Sequence, residues 1–158
     1  RDSSTSRGLG DVYKRQALYN MAGKDMDLAL AIAEAIAEVD ESIILLGLAN
    51  SKMIDAGKQL GLRVANEVFA DRAYQADGSL VPRKLPGAVI HDKDEAIART
   101  VRMVTEGKVT AITGEEVEIA AHSICVHGDN PSAVEFVKNI RAQLTARGVE
   151  IAPIREIV

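Results

Sequence analysis

The stretch SIILLGLANSKMIDAGKQLGLRVANEVFA, Ser42 to Ala70, decides the fold. It opens with a short, continuous apolar run, as in a strand buried on both faces. A helical segment follows, with Asn50 or Ser51 as its N-cap and Gly61 as its stop. A second apolar run, Leu62 to Ala70, reads as the next strand. Strand, helix, strand within thirty residues predicts a parallel sheet with helical crossovers.

The pattern extends in both directions. Upstream, KDMDLALAIAEAIAEV (Lys24 to Val39) places apolar residues at helical spacing among strong helix formers. Downstream, DKDEAIARTVRMVTEG reads as a helix capped by Asp92 and closed by Gly107. KVTAITGEEVEI reads as a hairpin turning at Thr113 and Gly114. HSICVHGD is a further strand, and NPSAVEFVKNIRAQLTARG a last helix between Pro131 and Gly148. No exact internal repeat is present. Such an α/β chain fits a doubly wound sheet or part of a β/α barrel, and in both, ligands bind at the carboxyl ends of the strands.

Composition bounds the function. The chain has 158 residues, a net charge of -4 and a single cysteine, Cys125. Negative charge argues against nucleic acid as a partner. One cysteine permits no internal disulfide and suits a cytoplasmic setting. No apolar run approaches the roughly 20 residues of a membrane span. The opening RDSSTSRGLGDVYKRQ, Arg1 to Gln16, is polar, aperiodic and without an initiator Met. It reads as an artefactual or disordered leader to a domain running from 17 to 158.

Two polar clusters lie where strands deliver their loops. Glu67 lies near the end of the second strand with Asp71, Arg72, Tyr74 and Arg83 beyond it, and His127, Gly128, Asp129 and Asn130 lie at the end of a later one. Glu67 in an apolar strand needs a partner, either a metal, a substrate ammonium or a salt bridge to Arg72 or Arg83. Asp71 and Arg72 suit a carboxylate substrate, with Arg72 giving a bidentate contact, or a loop-ordering ion pair. Tyr74 suits a lid over a ligand or a cover for the rim. His127 and Asp129, two apart, suit general acid–base work or metal ligation. Asp129 or Asn130 alternatively caps the helix that begins at Pro131. His122 reads as structural, His91 as solvated and Cys125 as a small buried hydrophobe.

EVFADRAYQADGSLVPR, then PGAVI, then SICVHGDNP, and ALYN at Ala17 to Asn20, resemble the LamB/YcsF family, whose members are described as 5-oxoprolinase subunits. The resemblance runs from Ala17 to about Pro153. It implies a partial irregular β/α (TIM-like) barrel of the glycoside hydrolase/deacetylase type. It also implies ATP-dependent opening of 5-oxo-L-proline to L-glutamate with two partner subunits. On that reading His127, Asp129 and Glu67 are catalytic, and Asp71, Arg72, Tyr74 and Arg83 bind substrate. In the family, ALYN follows a Lys-Pro-His-Gly segment; here it follows VYKRQ. The chain therefore reads as the C-terminal part of one barrel domain, expected to be inactive by itself. Fold analogy also suggests a metal-dependent deacetylase-like hydrolase, and a non-catalytic partner-binding fragment is the third reading. No Walker-type or GxGxxG loop marks where ATP would bind.

Overall fold

A computed structural model describes residues 18–127 and 133–158. The chain divides into two compact units, 1–64 and 65–158.

In the first unit a short helix at 18–22 precedes helix α1 (Met26–Val39), strand β1 (Leu45–Leu48) and helix α2 (Lys52–Gln59). Asp25 caps α1, its carboxylate accepting the Leu28 N–H at 3.1 Å. The first strand begins later than the apolar run, because a turn at Asp40 takes up Ser42, whose N–H donates to Asp40 Oδ1 at 2.8 Å. The core is built largely from small residues: Ala22, Ala29, Ala33 and Ala56 surround Leu45, Met53 and Leu62. Small side chains let the backbones approach closely. At Gly57 the approach is closest, since a Cβ there would lie 2.5 Å from Val64 Cγ1 and 2.9 Å from Leu45 Cδ2. Leu45 N–H donates to Arg63 C=O at 2.9 Å, leading the chain into Val64.

Strand β2 (Val64–Phe69) carries the chain into the second unit. There follow a long folded loop, helix α3 (Lys93–Thr105), a hairpin of β3 (Lys108–Thr110) and β4 (Glu116–Glu118), strand β5 (Ser123–Cys125) and helix α4 (Ala133–Ala146). A 3₁₀ turn, Ile154–Glu156, comes last. β2 and β5 pair in parallel, with Glu67 opposite Ser123, Val68 opposite Ile124 and Phe69 opposite Cys125. This is the parallel pairing that the alternation predicts.

Asp92 caps α3, accepting the Glu95 N–H at 2.9 Å, as read from the sequence. The hairpin turns through 111–115, with Gly114 at φ +100, where glycine alone is unstrained. Arg102 on α3 bonds Thr110 and Glu116 of the hairpin and Glu106 at the C-cap of its own helix. Phe136, Ile140 and Leu144, spaced four apart along α4, pack with Ala70, Ala96 and Val101. Among the described residues no helix is long and apolar enough to cross a membrane.

Candidate active site

The loop after β2 is folded rather than loose. Ala73 N–H donates to Ala88 C=O at 3.0 Å, Val81 N–H to Ala73 C=O at 3.0 Å and Ile90 N–H to Asp71 C=O at 2.9 Å. Ala73, Val81 and Ala88 form its small core. At its tip, Gln75 bonds Ser79 through main chain and side chain, and Gly78 turns the chain at φ +80.

Arg72 holds this loop from inside. It is 6 % exposed. Its Nε donates to Ala88 C=O at 3.2 Å and one Nη to Val81 C=O at 2.6 Å. Burial draws its guanidinium below the usual arginine range, with Arg83 adding to the effect. Arg99 backs it, donating to the Arg72 C=O at 3.3 Å. Sequence reading offered Arg72 either a substrate carboxylate or a loop-ordering ion pair; the bonds observed here order the loop, with main-chain carbonyls as the acceptors in place of a carboxylate.

Tyr74 is fully buried. Its hydroxyl oxygen accepts the Phe69 N–H at 2.9 Å, satisfying the last residue of β2. Burial pushes the phenol up to about 12. A side chain so enclosed is in no position to close over a ligand, and Tyr74 does not line the cleft described below.

Asp71 and His127 meet because of strand register. Phe69 lies opposite Cys125, and the Ala70 N–H extends the ladder to Cys125 C=O at 3.2 Å. Two residues past each of those paired ends stand Asp71 and His127. His127 Nδ1 lies 2.8 Å from Asp71 Oδ2 and 3.0 Å from Oδ1. Arg83 reaches the other ring nitrogen, with Nη2 at 2.9 Å from His127 Nε2. Phe69 packs on the imidazole at 5.8 Å between centroids.

Arginine donates only, so Nε2 is the acceptor and carries no proton. Nδ1 then carries the proton and donates it to Asp71. In that tautomer the ring is aligned by a carboxylate. This is the arrangement a general base requires.

The pair borders a cleft of about 310 Å³. Asp71, Arg72, Arg83, His91, Asp92, Lys93 and His127 supply its polar lining, and Val126, Ala133 and Phe136 are among its apolar residues. The volume is that of a site for a small molecule. Arg83 and Lys93 are its cations not bonded to main-chain carbonyls, and they are the groups there able to meet an anion.

Sequence reading named Asp71, Arg72, Arg83 and His127, and these share the cleft. Glu67 is half-buried on β2 opposite Ser123 and outside the cleft lining. Its charge helps raise both Tyr74 and Cys125. Cys125, read as a buried hydrophobe, is half-buried, and burial pushes its thiol up to about 12. His122 is structural as read: its Nδ1 accepts the Asn66 N–H at 3.2 Å, and its own N–H donates to Asn66 C=O at 2.9 Å. Asp129, Gly128 and Asn130 lie outside the described residues. Among the described residues no three His, Cys, Asp or Glu side chains gather to hold a metal ion. Sequence reading missed His91 and Lys93, at the start of α3, as cleft residues. Their signal was the short loop from PGAVI into that helix, which returns the chain to the same sheet end.

Comparison with known proteins shows which family the chain resembles. The sequence model of the LamB/YcsF family matches residues 7–158, starting inside the stretch set apart above as a leader. A protein of Alkaliphilus metalliredigens named as a subunit of 5-oxoprolinase is 63% identical over 135 residues, covering 85% of this chain and 53% of that protein. One of the same name from Coprothermobacter proteolyticus is 56% identical over 150 residues, covering 95% of this chain and 58% of the relative. The crystal structure of a lactam utilization protein from Thermus thermophilus superposes with a TM-score of 0.77 at 41% identity. It is matched over 85% of this chain and 53% of its own. The chain thus spans about half the length of these relatives. With nearly its whole length matched by the family's sequence model, the chain belongs to the LamB/YcsF family.

Proposed function

We propose that this chain is the part of a 5-oxoprolinase subunit that carries the proton-transfer pair Asp71–His127. The observation that supports it most is that pair, at a cleft also lined by Arg83 and Lys93, in a chain more than half identical to relatives of that name. The complete subunit, with two partner subunits in the cytoplasm, opens 5-oxo-L-proline to L-glutamate. The parallel pair β2–β5, with α3 and α4, forms part of an irregular β/α barrel in the complete protein.

A five-membered lactam resists hydrolysis, and ATP supplies the activation of its carbonyl. No Walker-type or GxGxxG segment occurs in this chain, so the reading assigns none of its residues to the phosphates. Its own residues bind the substrate and move a proton. Arg83 and Lys93 attract the substrate carboxylate. His127 Nε2 accepts a proton from the attacking water, and Asp71 holds the ring and stabilises the imidazolium that forms.

The test uses the full-length protein, assembled with its partner subunits and assayed for ATP-dependent release of glutamate. His127→Gln is expected to lower turnover by about a hundredfold or more at an unchanged melting temperature. Wild-type turnover by that variant would remove His127 from the reaction. Absence of 5-oxoproline turnover by the unaltered assembly would remove the function.

A further inference from the structure

We propose that Arg83 masks the base His127 until a ligand carboxylate draws it away, so that recognition of the carboxylate uncovers the proton acceptor. The inference rests on the reading of His127 as a base given above.

The Nε2 lone pair of His127 is the one available to a water, since Nδ1 donates to Asp71. In this structure Nε2 is occupied by Arg83 Nη2 at 2.9 Å. A lone pair engaged with a guanidinium cannot also take a proton from water. Yet the cap is built to leave. Arg83 stands on an exposed turn, 82–87, closed by Leu85 N–H to Pro82 C=O at 2.9 Å. Arg72 pins both ends of that turn, at Val81 and Ala88. Base and stem are therefore fixed while the guanidinium swings. Among the described residues Arg83 forms no ion pair with a carboxylate, and its partner is the imidazole of His127. A guanidinium–carboxylate pair is bidentate and about twice as strong as a hydrogen bond between neutral groups. A carboxylate entering the 310 Å³ cleft thus competes well for Arg83. A lactam without a carboxylate offers no such contact and leaves the base covered. Arg83 is in this way a specificity-determining residue, and Arg72 is the positioning residue behind it.

The experiment is ¹⁵N NMR of the histidine side chains in the folded protein. Three probes are added separately: 5-oxo-L-proline, 2-pyrrolidinone (the same ring without the carboxylate) and cyclopentanecarboxylate (a carboxylate without the lactam). At rest the His127 Nε2 resonance is expected at a hydrogen-bonded position. Both carboxylates should move it to that of a free imidazole nitrogen, and 2-pyrrolidinone should not. In Arg83→Met the resonance should sit at the free position from the outset. Carboxylate affinity should fall about tenfold to a hundredfold in that variant. Arg83→Lys, which keeps the charge but not the fork, should recover part of that affinity. If cyclopentanecarboxylate uncovers Nε2 and 5-oxo-L-proline does not, the mask stands and the substrate reading falls. A free Nε2 at rest, equal release by 2-pyrrolidinone, or a wild-type response in Arg83→Met would overturn the mask.

Discussion

Replacing Arg72 by methionine tests the division of labour between the two loop arginines. The guanidinium makes two hydrogen bonds, at 3.2 and 2.6 Å, to the carbonyls of Ala88 and Val81. Bonds from a charged donor contribute roughly 1.5–3 kcal/mol each. Methionine makes neither and leaves both carbonyls without this donor, but it removes the desolvation that draws Arg72 below its usual range. The net loss is about 2–4 kcal/mol, a large share of the roughly 5–15 kcal/mol that holds a typical domain. With a urea slope of about 1–3 kcal/mol per molar, the unfolding midpoint should drop by around 1–2 M. Tryptic cleavage after Lys84, on the exposed turn, should accelerate. Arg83→Met is the control. Its side chain lies at the surface, so its stability should stay within about 0.5 kcal/mol of wild type. The buried bonds therefore assign Arg72 a part in stability. An Arg72→Met protein as stable and as protease-resistant as wild type would refute the reasoning, as would an equal loss in Arg83→Met.

Alkaline stability follows from the two groups that burial raises to about 12, Tyr74 from 10.0 and Cys125 from 9.0. Each holds its proton more tightly folded than unfolded, so its contribution is whole below the unfolded value and is lost as pH rises toward 12. Tyr74 by itself represents about 2–3 kcal/mol, and urea unfolding at pH 8, 10 and 11 should show stability falling above pH 9 as Cys125 begins to lose its contribution and more steeply above pH 10 as Tyr74 joins it; a flat profile above pH 10 would contradict the burial of the Tyr74 hydroxyl. Gly57→Ala raises helix propensity by about 1 kcal/mol, yet its Cβ would meet Val64 Cγ1 at 2.5 Å and Leu45 Cδ2 at 2.9 Å. A net destabilisation of about 1–3 kcal/mol is expected, and a rise in melting temperature would show that the packing yields.

The alternation of elements was legible because its signals are local. Helix spacing in 24–39, the Asp92 cap and the turn at Gly114 each depend on a few neighbouring residues, and each appears where the chain announced it. Strand bounds were less legible. The run from Ser42 supplies a strand only from Leu45, because a turn at Asp40 competes for its first residues. Sequence also located the charged residues near strand ends, which sufficed to place Asp71, Arg83 and His127 among the candidates. It could not say that Asp71 and His127 touch. That contact depends on Phe69 lying opposite Cys125, and a register slip of one residue would have separated the two side chains. Nor could it tell Arg72 from Arg83, two guanidinium groups on the same loop. Only the fold decides which is buried, because the cost of desolvating a guanidinium is met where carbonyls converge, and those of Val81 and Ala88 converge on Arg72. Tyr74 has the same lesson, its hydroxyl lying inside the fold, where it accepts the Phe69 N–H at the end of β2. Local patterning determined which elements form and in what order; the pairing of distant strands decided which of their side chains make a site.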